Sequence, residues 1–443
     1  MVAKNPKSKM QRYIILIFIA LAGGVMTKLP YLGDTYFIAL EKATGATRTQ
    51  MGLLWSAYGF INFLTYFPGG VLADQFSAKK LVLVACFGTA AIGVWYSFLP
   101  SFGWLVVIHC ALAITTVFVF WAAMEKTVMM QGTKDEQGKM FGFFEGTRSL
   151  IGMIAIFLSV FVFDHFADEV AGFRGVILYY SCLLALAGIL IALFLRDPSA
   201  EEKKAAGLEE KKEDKKKTYN KKDVVALLKY PQIWMCGLIA FCSYASNCFA
   251  SYINPYFVEA FGASSSQAAV LTTIRSTVMC VIGSYLAGFL ADKMGSRVKY
   301  MGINFIGMTI TSLLLIFAPK GTQSGFYMFF ISTVVLGFCA YSVKSLYFAT
   351  IKDVGIPHKL AGTGAGIVSL VGYAPEMFVY IIIGNIMDKV DKFTGYRINF
   401  WCMVGCGVAG VLCSLVLIHM IKHSKKFVAQ DADEEEIEAG AEA

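Results

Sequence analysis

Ionisable side chains interrupt several long apolar stretches of this sequence. Five of them lie at a similar distance from the same ends of their stretches: Glu125, Lys126, Glu145, Arg148 and Lys344. A charge that faces lipid costs at least about 2.5 kcal/mol, so such side chains should point inward or pair with one another. Glu145 and Arg148 are three residues apart and share a helix face, which allows pairing. Lys344 has no acidic neighbour in its own stretch, so basic charge is left over and indicates a site for an anion.

A second group of embedded charges lies nearer the opposite ends of the stretches and comprises Lys28, Asp34, Arg275 and Glu376. A buried carboxyl group can take up and release a proton in the working pH range. The candidates for proton coupling or ion pairing are therefore Glu125, Glu145, Glu376 and Asp34. Glu376 directly follows Pro375, and a proline there permits a bend in the helix.

Aromatic residues on the same stretches complete a candidate binding site, because tyrosine offers both a ring face and a hydroxyl to a sugar or a carboxylate. They are Tyr31, Tyr58, Trp121, Tyr244, Tyr252, Tyr256, Tyr347 and Tyr373. We predict that substrate is bound by Lys126, Arg148, Lys344, Lys28, Arg275, Tyr31, Trp121 and Tyr347. The alternative interpretation is that the charges form structural ion pairs and the rings only pack.

The elements that position these residues follow from composition. Hydrophobic residues make up 57% of the 443-residue chain and charged residues 16%, where soluble proteins carry about 25%. Apolar windows of about 20 residues are long enough to cross a membrane as helices, and strands or loops could not satisfy their backbone there. We predict an all-α integral membrane protein whose twelve transmembrane helices lie near 12–38, 49–74, 80–99, 103–131, 138–164, 173–195, 230–258, 266–292, 298–318, 325–351, 359–387 and 398–421.

Most of the positive charge of the chain lies in the loops between the predicted helices. The net charge of +8 arises largely from Lys and Arg in alternate loops, which by the positive-inside rule places both termini in the cytoplasm and makes a nucleic-acid partner improbable. Helices 3, 6, 9 and 12 have no embedded charge, and we expect them to face lipid. The first helix lacks a cleavage site for a signal peptidase, so we expect it to be retained.

A charged segment divides the chain into halves. We predict an N-terminal six-helix bundle over 1–195, a charged cytoplasmic linker over 196–229, a C-terminal six-helix bundle over 230–421 and a cytoplasmic tail over 422–443. The linker mixes Lys and Glu with almost no apolar residue, and the end of the tail is acidic.

One phrase occurs in both halves. "GGVLADQFSAKK" at 69–80 recurs as "GFLADKMGSRVK" at 288–299, so that Gly70 and Asp74 correspond to Gly288 and Asp292, and Lys79 corresponds to Arg297. The correspondence continues in register, and it places Lys126 opposite Lys344. Two related six-helix bundles are the architecture of many transporters that are built from repeats.

Twelve spans, a charged linker after the sixth, and paired G-x-L-A-D phrases with trailing basic residues resemble the major facilitator superfamily. The resemblance implies two pseudo-symmetric bundles, alternating access, and a latch at these phrases that stabilises the outward-facing state. We expect Gly70 and Gly288 to allow close helix contacts, and Asp74 and Asp292 to pair with nearby basic residues or cap a helix.

The first of the two phrases departs from the family pattern, because Gln75, Ser77 and Ala78 replace its usual residues. We therefore expect the two latches to be unequal, and Asp292 and Arg297 to form the firmer pair.

Several motifs of known transporter groups and of ATP-hydrolysing proteins are missing from the sequence, which reduces the number of functions to consider. Helix 4 lacks the arginine motif and helix 5 the Gly-Pro pair of drug antiporters, and helices 5 and 11 lack the Gly-Asn signature of nitrate porters. No GxxxxGKS motif for ATP hydrolysis is present. The eleven cysteines are scattered singly, which makes disulfides and metal sites improbable. We expect no cofactor and no enzymatic activity.

These observations predict a secondary active transporter that moves a small organic anion, such as a sugar acid, a carboxylate or a sugar phosphate, by proton symport or exchange. The alternatives are a neutral sugar or nucleoside symporter and a sensor that binds ligand without transporting it. We expect a monomer in the plasma membrane, and a bacterial inner membrane in particular. Its partners would be the lipid bilayer, a small anionic substrate and, if transport is coupled to them, protons.

Overall fold

The computed structural model describes residues 9–133, 136–196, 225, 227–356 and 360–423. Most of the predicted linker and tail therefore lies outside the described residues. At Asp74 only the backbone is described, so the role predicted for its carboxylate also lies outside them. Every regular element in the described ranges is a helix, which confirms the all-α prediction.

The first six membrane spans are partly built from broken helices. Span 1 comprises Lys9–Met26, Leu32–Thr35 and Phe37–Thr44; span 2 is Arg48–Gln75; span 3 is Ala78–Ser97; span 4 comprises Phe102–Ala113, a π-helical turn Ile114–Val119 and Trp121–Met129; span 5 is Gln137–Asp164; and span 6 is Glu169–Phe194.

The second six spans repeat this plan. Span 7 comprises Pro231–Phe249, a short 3-10 turn Ala250–Tyr252 and Ile253–Phe261; span 8 comprises Ser265–Thr273, a π-helical turn Ile274–Val278 and Met279–Lys293; span 9 is Arg297–Phe317; span 10 is Gln323–Leu346 with the short extension Thr350–Asp353; span 11 comprises Ala361–Gly372 and Pro375–Lys389; and span 12 is Lys392–His423.

Length and composition fit a membrane. Ten helical segments in the described residues are long and apolar enough to cross one, and Met10–Met26 is a shorter apolar helix. Span 2 has 28 residues and so is about 42 Å long, more than the hydrocarbon core requires. Side-chain caps begin many of the helices, as Thr47 does for span 2 and Ser264 for span 8, each with a capping box.

The chain packs as two compact units. The first contains the described residues of Met1–Glu210, Tyr252–Thr277 and Met377–Gly395. In this unit span 3 packs on span 6, span 1 packs on spans 5 and 6, and span 2 packs on span 4. The unit therefore includes the first six spans together with the ends of spans 7 and 11 and the beginnings of spans 8 and 12.

The second unit contains the described residues of Lys211–Ser251, Val278–Glu376 and Tyr396–Ala443. Here span 9 packs on span 10, span 8 packs on span 10, and the first helix of span 7 packs on the first helix of span 11. The two units are defined by which residues pack together. The domain boundaries predicted at 195 and 230 were drawn from the sequence repeat, and they stay a prediction.

The close helix contacts expected at Gly70 and Gly288 are not formed by the described residues. A Cβ atom added at either residue would meet no atom of the described part of the chain within 4 Å. The close contacts lie elsewhere on the same spans, where a Cβ at Gly69 would lie 2.8 Å from the Phe118 carbonyl oxygen and a Cβ at Gly283 would lie 2.9 Å from that of Phe338. The expectation is wrong because the direction of a side chain rotates by about 100° per residue of a helix. Gly69 therefore faces span 4 while Gly70 does not, and Gly283, five residues before Gly288, points about 140° away from it and faces span 10.

The predicted pair of Asp292 and Arg297 is also not formed. Arg297 Nη1 lies 2.6 Å from Asp353 Oδ1 on the extension of span 10, and Asp292 is exposed with no ion pair in the described part of the chain. A tight turn with Gly295 in the left-handed region separates the two helices, and the Arg297 side chain extends to span 10. In the first phrase, the Lys79 ammonium donates to the Ala192 carbonyl oxygen at 3.0 Å, near the end of span 6.

We expect Gly283→Val to lower the melting temperature of the purified protein and Gly288→Val to leave it nearly unchanged. A side chain at 283 must displace the backbone of span 10, and overpacking of this kind costs about 1–3 kcal/mol, whereas the space beside 288 is open. The measurement is thermal unfolding of both variants in the same detergent. Equal melting temperatures for the two variants would contradict the assignment of the close contact to Gly283.

Candidate substrate site

A recess in the second unit carries the strongest candidate site. It is small, with a cavity volume of about 10 Å³, which is room for about one water molecule. Span 7 lines it with Ser243, Tyr244 and Asn247, and span 10 lines it with Ala340, Tyr341, Lys344 and Tyr347. The spacing of three or four residues within each span places the residues on one face of their helix. The walls are uncharged apart from one lysine.

Lys344 supplies the positive charge of the recess. Its Nζ atom lies 5.9 Å from the ring centroid of Tyr244 and 5.6 Å from that of Tyr341, within the range of cation–π attraction. In the part of the chain that the structure describes, no carboxylate lies within ion-pair distance of this ammonium. The lysine is held between two rings, and its charge remains available to a ligand.

A buried carboxyl group adjoins the same tyrosine. The Tyr244 hydroxyl donates to Glu376 Oε2 at 3.1 Å, and Glu376 is 6% exposed. Glu376 lies in the first turn of Pro375–Lys389, where the helix dipole favours a negative charge. Tyr244 therefore contacts both the candidate anion-binding lysine and a buried acid.

Two further tyrosines extend this network. The hydroxyl groups of Tyr347 and Tyr373 share a hydrogen bond of 3.0 Å, and the ring of Tyr373 meets that of Tyr244 edge to face at 5.0 Å. Of these residues, Lys344, Tyr347 and Glu376 were predicted site residues, and Tyr244 and Tyr373 were candidate aromatic residues. The prediction put Glu376 in the second group of charges, whereas the structure places it beside Tyr244, next to the recess that contains Lys344. Ser243, Asn247 and Tyr341 were missed, although their helical spacing from Tyr244 and Lys344 could have identified them.

The first unit has its own charged group. The Arg148 guanidinium binds the Glu145 carboxylate, with Nε 3.1 Å from Oε2. Glu125 lies within electrostatic range of both residues, and Trp121 lies one turn before it on the same helix. The pairing predicted for Glu145 and Arg148 is thus present, and the arginine charge is offset by nearby carboxylates.

Lys126 contacts a helix end. Its ammonium donates to the Ala73 carbonyl oxygen at 2.6 Å, at the last turn of span 2. A cation at this position is favoured by the unsatisfied carbonyls at the end of the helix. A substrate would have to compete with this bond at Lys126 and with the Glu145 carboxylate at Arg148, so the substrate contacts predicted for both residues stay predictions.

Two members of the second group of predicted charges form a largely buried ion pair. Arg275 Nη2 lies 3.4 Å from Asp34 Oδ2, and the two side chains are 4% and 20% exposed. Arg275 lies in the π-helical turn of span 8, and Asp34 lies in the short helix Leu32–Thr35 of span 1. The pairing predicted for Asp34 is present, and the substrate contact predicted for Arg275 stays a prediction.

The remaining predicted residues lie near the break in span 1. Lys28 falls in the turn between Met26 and Leu32, and the ring of Tyr31 meets that of Tyr58 edge to face at 5.2 Å. Their substrate contacts also stay predictions. Among the described residues no group of three His, Cys, Asp or Glu side chains could hold a metal ion.

Comparison with known proteins shows the family. The model of the Major Facilitator Superfamily matches residues 13–253 and again 236–439, so the chain belongs to this superfamily and contains two copies of its repeat. The inner membrane protein YqcE of Escherichia coli is 30% identical over 399 residues, which cover 89% of this chain and 91% of that protein. The inner membrane protein YihN of the same organism is 26% identical and covers 94% and 97% of the two chains.

Other similar proteins have names that point to different substrates. The probable galactarate/D-glucarate transporter GudP of Bacillus subtilis is 23% identical, with 87% of each chain covered. The crystal structure of the nucleoside transporter NupG is similar with a TM-score of 0.70 at 14% identity, over 94% of this chain and 99% of that one. The latter similarity concerns the fold alone. The predicted family and multi-pass membrane architecture are confirmed.

We expect Arg275→Gln to destabilise the protein strongly, because it leaves the buried Asp34 carboxylate without its ion-pair partner. Breaking a buried pair on one side costs about 3–5 kcal/mol. The double variant Asp34→Asn with Arg275→Gln should recover most of the loss, and thermal unfolding measures both. Arg148→Gln is the control, since its partner Glu145 is about half exposed and should tolerate the loss. A wild-type melting temperature for Arg275→Gln would contradict a structural role.

Proposed function

We propose that this protein is a secondary active transporter that carries a small organic anion by alternating access, and that Lys344 binds the anionic group. The observation that supports the proposal most directly is the ammonium of Lys344 in a tyrosine-lined recess, without a carboxylate partner among the described residues. Membership of the superfamily supports the transport class, and the charge of the recess supports the sign of the substrate.

The physical argument for an anion is one of charge. Lys344 is exposed, and among the described residues its ammonium has two ring faces nearby but no carboxylate within ion-pair distance. An anionic substrate that enters the recess would pair with this charge directly. The phenol hydroxyls, Asn247 and Ser243 can bind the hydroxyl groups of a sugar acid, the class that the name of the relative GudP indicates for that protein.

Glu376 supplies a route to proton coupling. A proton on this carboxyl group removes a negative charge from the neighbourhood of Lys344, so proton binding and anion binding should strengthen each other, and by linkage the effect is mutual. Tyr244 connects Glu376 with Lys344, because its hydroxyl donates to the Glu376 carboxylate and its ring lies beside the Lys344 ammonium. This arrangement favours proton symport over exchange.

A neutral sugar or nucleoside symporter is the second candidate. The uncharged, aromatic walls of the recess favour it, because ring faces and hydroxyl groups also suit a sugar. In that case the rings would fix Lys344 as a structural cation. A sensor that binds ligand without transporting it is the third candidate. The names of the relatives YqcE and YihN support an inner membrane location, and the positive-inside pattern supports cytoplasmic termini.

We expect Lys344→Gln to raise the KM for anion uptake about 10- to 100-fold, because a hydrogen bond to a charged group contributes about 1.5–3 kcal/mol. The measurement is uptake into proteoliposomes of sugar acids, carboxylates, sugar phosphates and neutral sugars, with and without a pH gradient. Lys352→Gln is the matched control, since this lysine is exposed on the extension of the same span.

The panel separates the candidates. Unchanged anion uptake by Lys344→Gln would contradict the anion site, and uptake restricted to neutral sugars or nucleosides would favour the second candidate. Binding of a compound without uptake by the wild-type protein would favour the sensor.

A further inference from the structure

Span 12 carries two histidines on one face of its C-terminal part. His419 and His423 are four residues apart, and their ring centroids are separated by 4.5 Å with an angle of 37° between the ring planes. Both side chains are exposed. Side chains four residues apart on a helix lie one above the other. The helix therefore holds two imidazole rings next to each other at the protein surface.

The pair lies where span 12 leaves the apolar part of the membrane. The stretch 398–418 contains no acidic, basic or histidine residue. As a helix it is about 31 Å long, which is close to the thickness of the hydrocarbon core, about 30 Å. His419 directly follows this stretch, and His423 lies about 6 Å further along the helix axis. The two rings are therefore at the membrane surface, where ions dissolved in water can reach them.

The nitrogen atoms of the two rings are available to a ligand. Neither ring forms a hydrogen bond or an ion pair within the described part of the chain. The other two described histidines differ from the pair. His109 is buried, and its Nδ1 atom bonds the Leu105 carbonyl oxygen at 2.8 Å. His165 is exposed at the end of span 5, and its ring meets that of Phe166. Only His419 and His423, among these four, could bind one ion together.

The separation of the rings fits a shared metal ion. An imidazole nitrogen binds Zn²⁺ at about 2.0–2.1 Å, so two nitrogens on one ion are at most about 4.2 Å apart. Rings with centroids 4.5 Å apart can reach this distance by small rotations of their side chains. Two histidines at positions i and i+4 of a helix are also the metal ligands of zinc metalloproteases. Met420 stands where those enzymes have their catalytic glutamate, so the pair has the ligands for binding without the base for hydrolysis.

The ligand atoms determine which ions can bind. Imidazole nitrogen suits Zn²⁺, Ni²⁺ and Cu²⁺, whereas Mg²⁺ and Ca²⁺ prefer oxygen ligands. No group of three His, Cys, Asp or Glu side chains was found among the described residues, so water would complete the coordination of the ion. Lys422 is exposed in the same turn, and its charge opposes a bound cation without blocking either ring.

We propose that His419 and His423 form a surface site for a divalent transition-metal ion, of the class of Zn²⁺, Ni²⁺ and Cu²⁺, at the C-terminal part of span 12. The bound ion joins two successive turns of the helix and so stabilises this part of the last span. The proposal does not depend on the proposed transport function.

The first test measures affinity by titration calorimetry, with Ni²⁺ added to the full-length protein in detergent and without a histidine tag. We expect the wild type to bind one ion, and His419→Ala and His423→Ala each to weaken binding at least about tenfold, because one of two protein ligands is lost. Lys422→Gln should strengthen binding about twofold by removing a like charge. His165→Ala is the matched control, an exposed histidine without a neighbouring one, and should bind as the wild type does.

The three histidines are exposed, so we expect all these variants to fold, and their melting temperatures without metal check this. A variant that lacks both His419 and His423 but binds Ni²⁺ as tightly as the wild type would overturn the proposal.

The second test shows whether both rings bind the same ion. Electron paramagnetic resonance of the protein with one equivalent of Cu²⁺ should report two imidazole nitrogens in the wild type and one in either single variant. A single imidazole nitrogen in the wild type would contradict a shared site, whatever the affinities. Mg²⁺ in excess should leave the spectrum unchanged, and displacement of Cu²⁺ by Mg²⁺ would contradict the assignment to imidazole ligands.

Discussion

Exclusion of charge from lipid is the constraint on which the rest of this structure depends. A membrane-spanning chain must satisfy its backbone within helices and must direct each embedded charge to a partner, a helix end or a cavity. The charges are distributed accordingly: Lys126 contacts the carbonyl end of span 2, Arg148 binds Glu145, and Arg275 binds Asp34. Each of these arrangements lowers the cost of a charge without needing a substrate.

Lys344 differs from these residues, although the sequence repeat aligns it with Lys126. Both lysines lie in the last part of the fourth span of their repeat, yet Lys126 donates to a carbonyl and Lys344 lies against two tyrosine rings beside a recess. A ring face attracts a cation less strongly than a carboxylate does. The two halves have thus kept the same residue and given it different surroundings, which supports the proposal of one anion site at Lys344.

The sequence predicted the spans and the family, because apolar length and embedded charge are local properties of the chain. It placed Glu376 in a different group of charges from Lys344, and the contact of both residues with Tyr244 depends on tertiary packing. It could not predict which glycine faces a neighbouring helix, since that depends on the rotation of each helix in the packed bundle. Gly69 and Gly283 make the contacts expected of Gly70 and Gly288. Arg297 pairs with Asp353 instead of Asp292 for a similar reason. Which carboxylate lies within reach of an arginine depends on where the loops lie in the folded protein.

The positions of the breaks in the spans also depend on tertiary structure, and they coincide with candidate functional residues. Pro30 lies in the interruption of span 1 and Pro375 at the break in span 11, whereas the π-helical turns of spans 4 and 8 and the interruption of span 7 have no strong sequence signal. The turn of span 8 contains Arg275, the break in span 11 precedes Glu376, and the interruption of span 1 contains Asp34. Irregular backbone at membrane depth is tolerated only where protein or a cavity surrounds it. The embedded charges and the irregular turns therefore coincide because each needs the polar interior of the bundle, and there a transporter can both bind its substrate and bend.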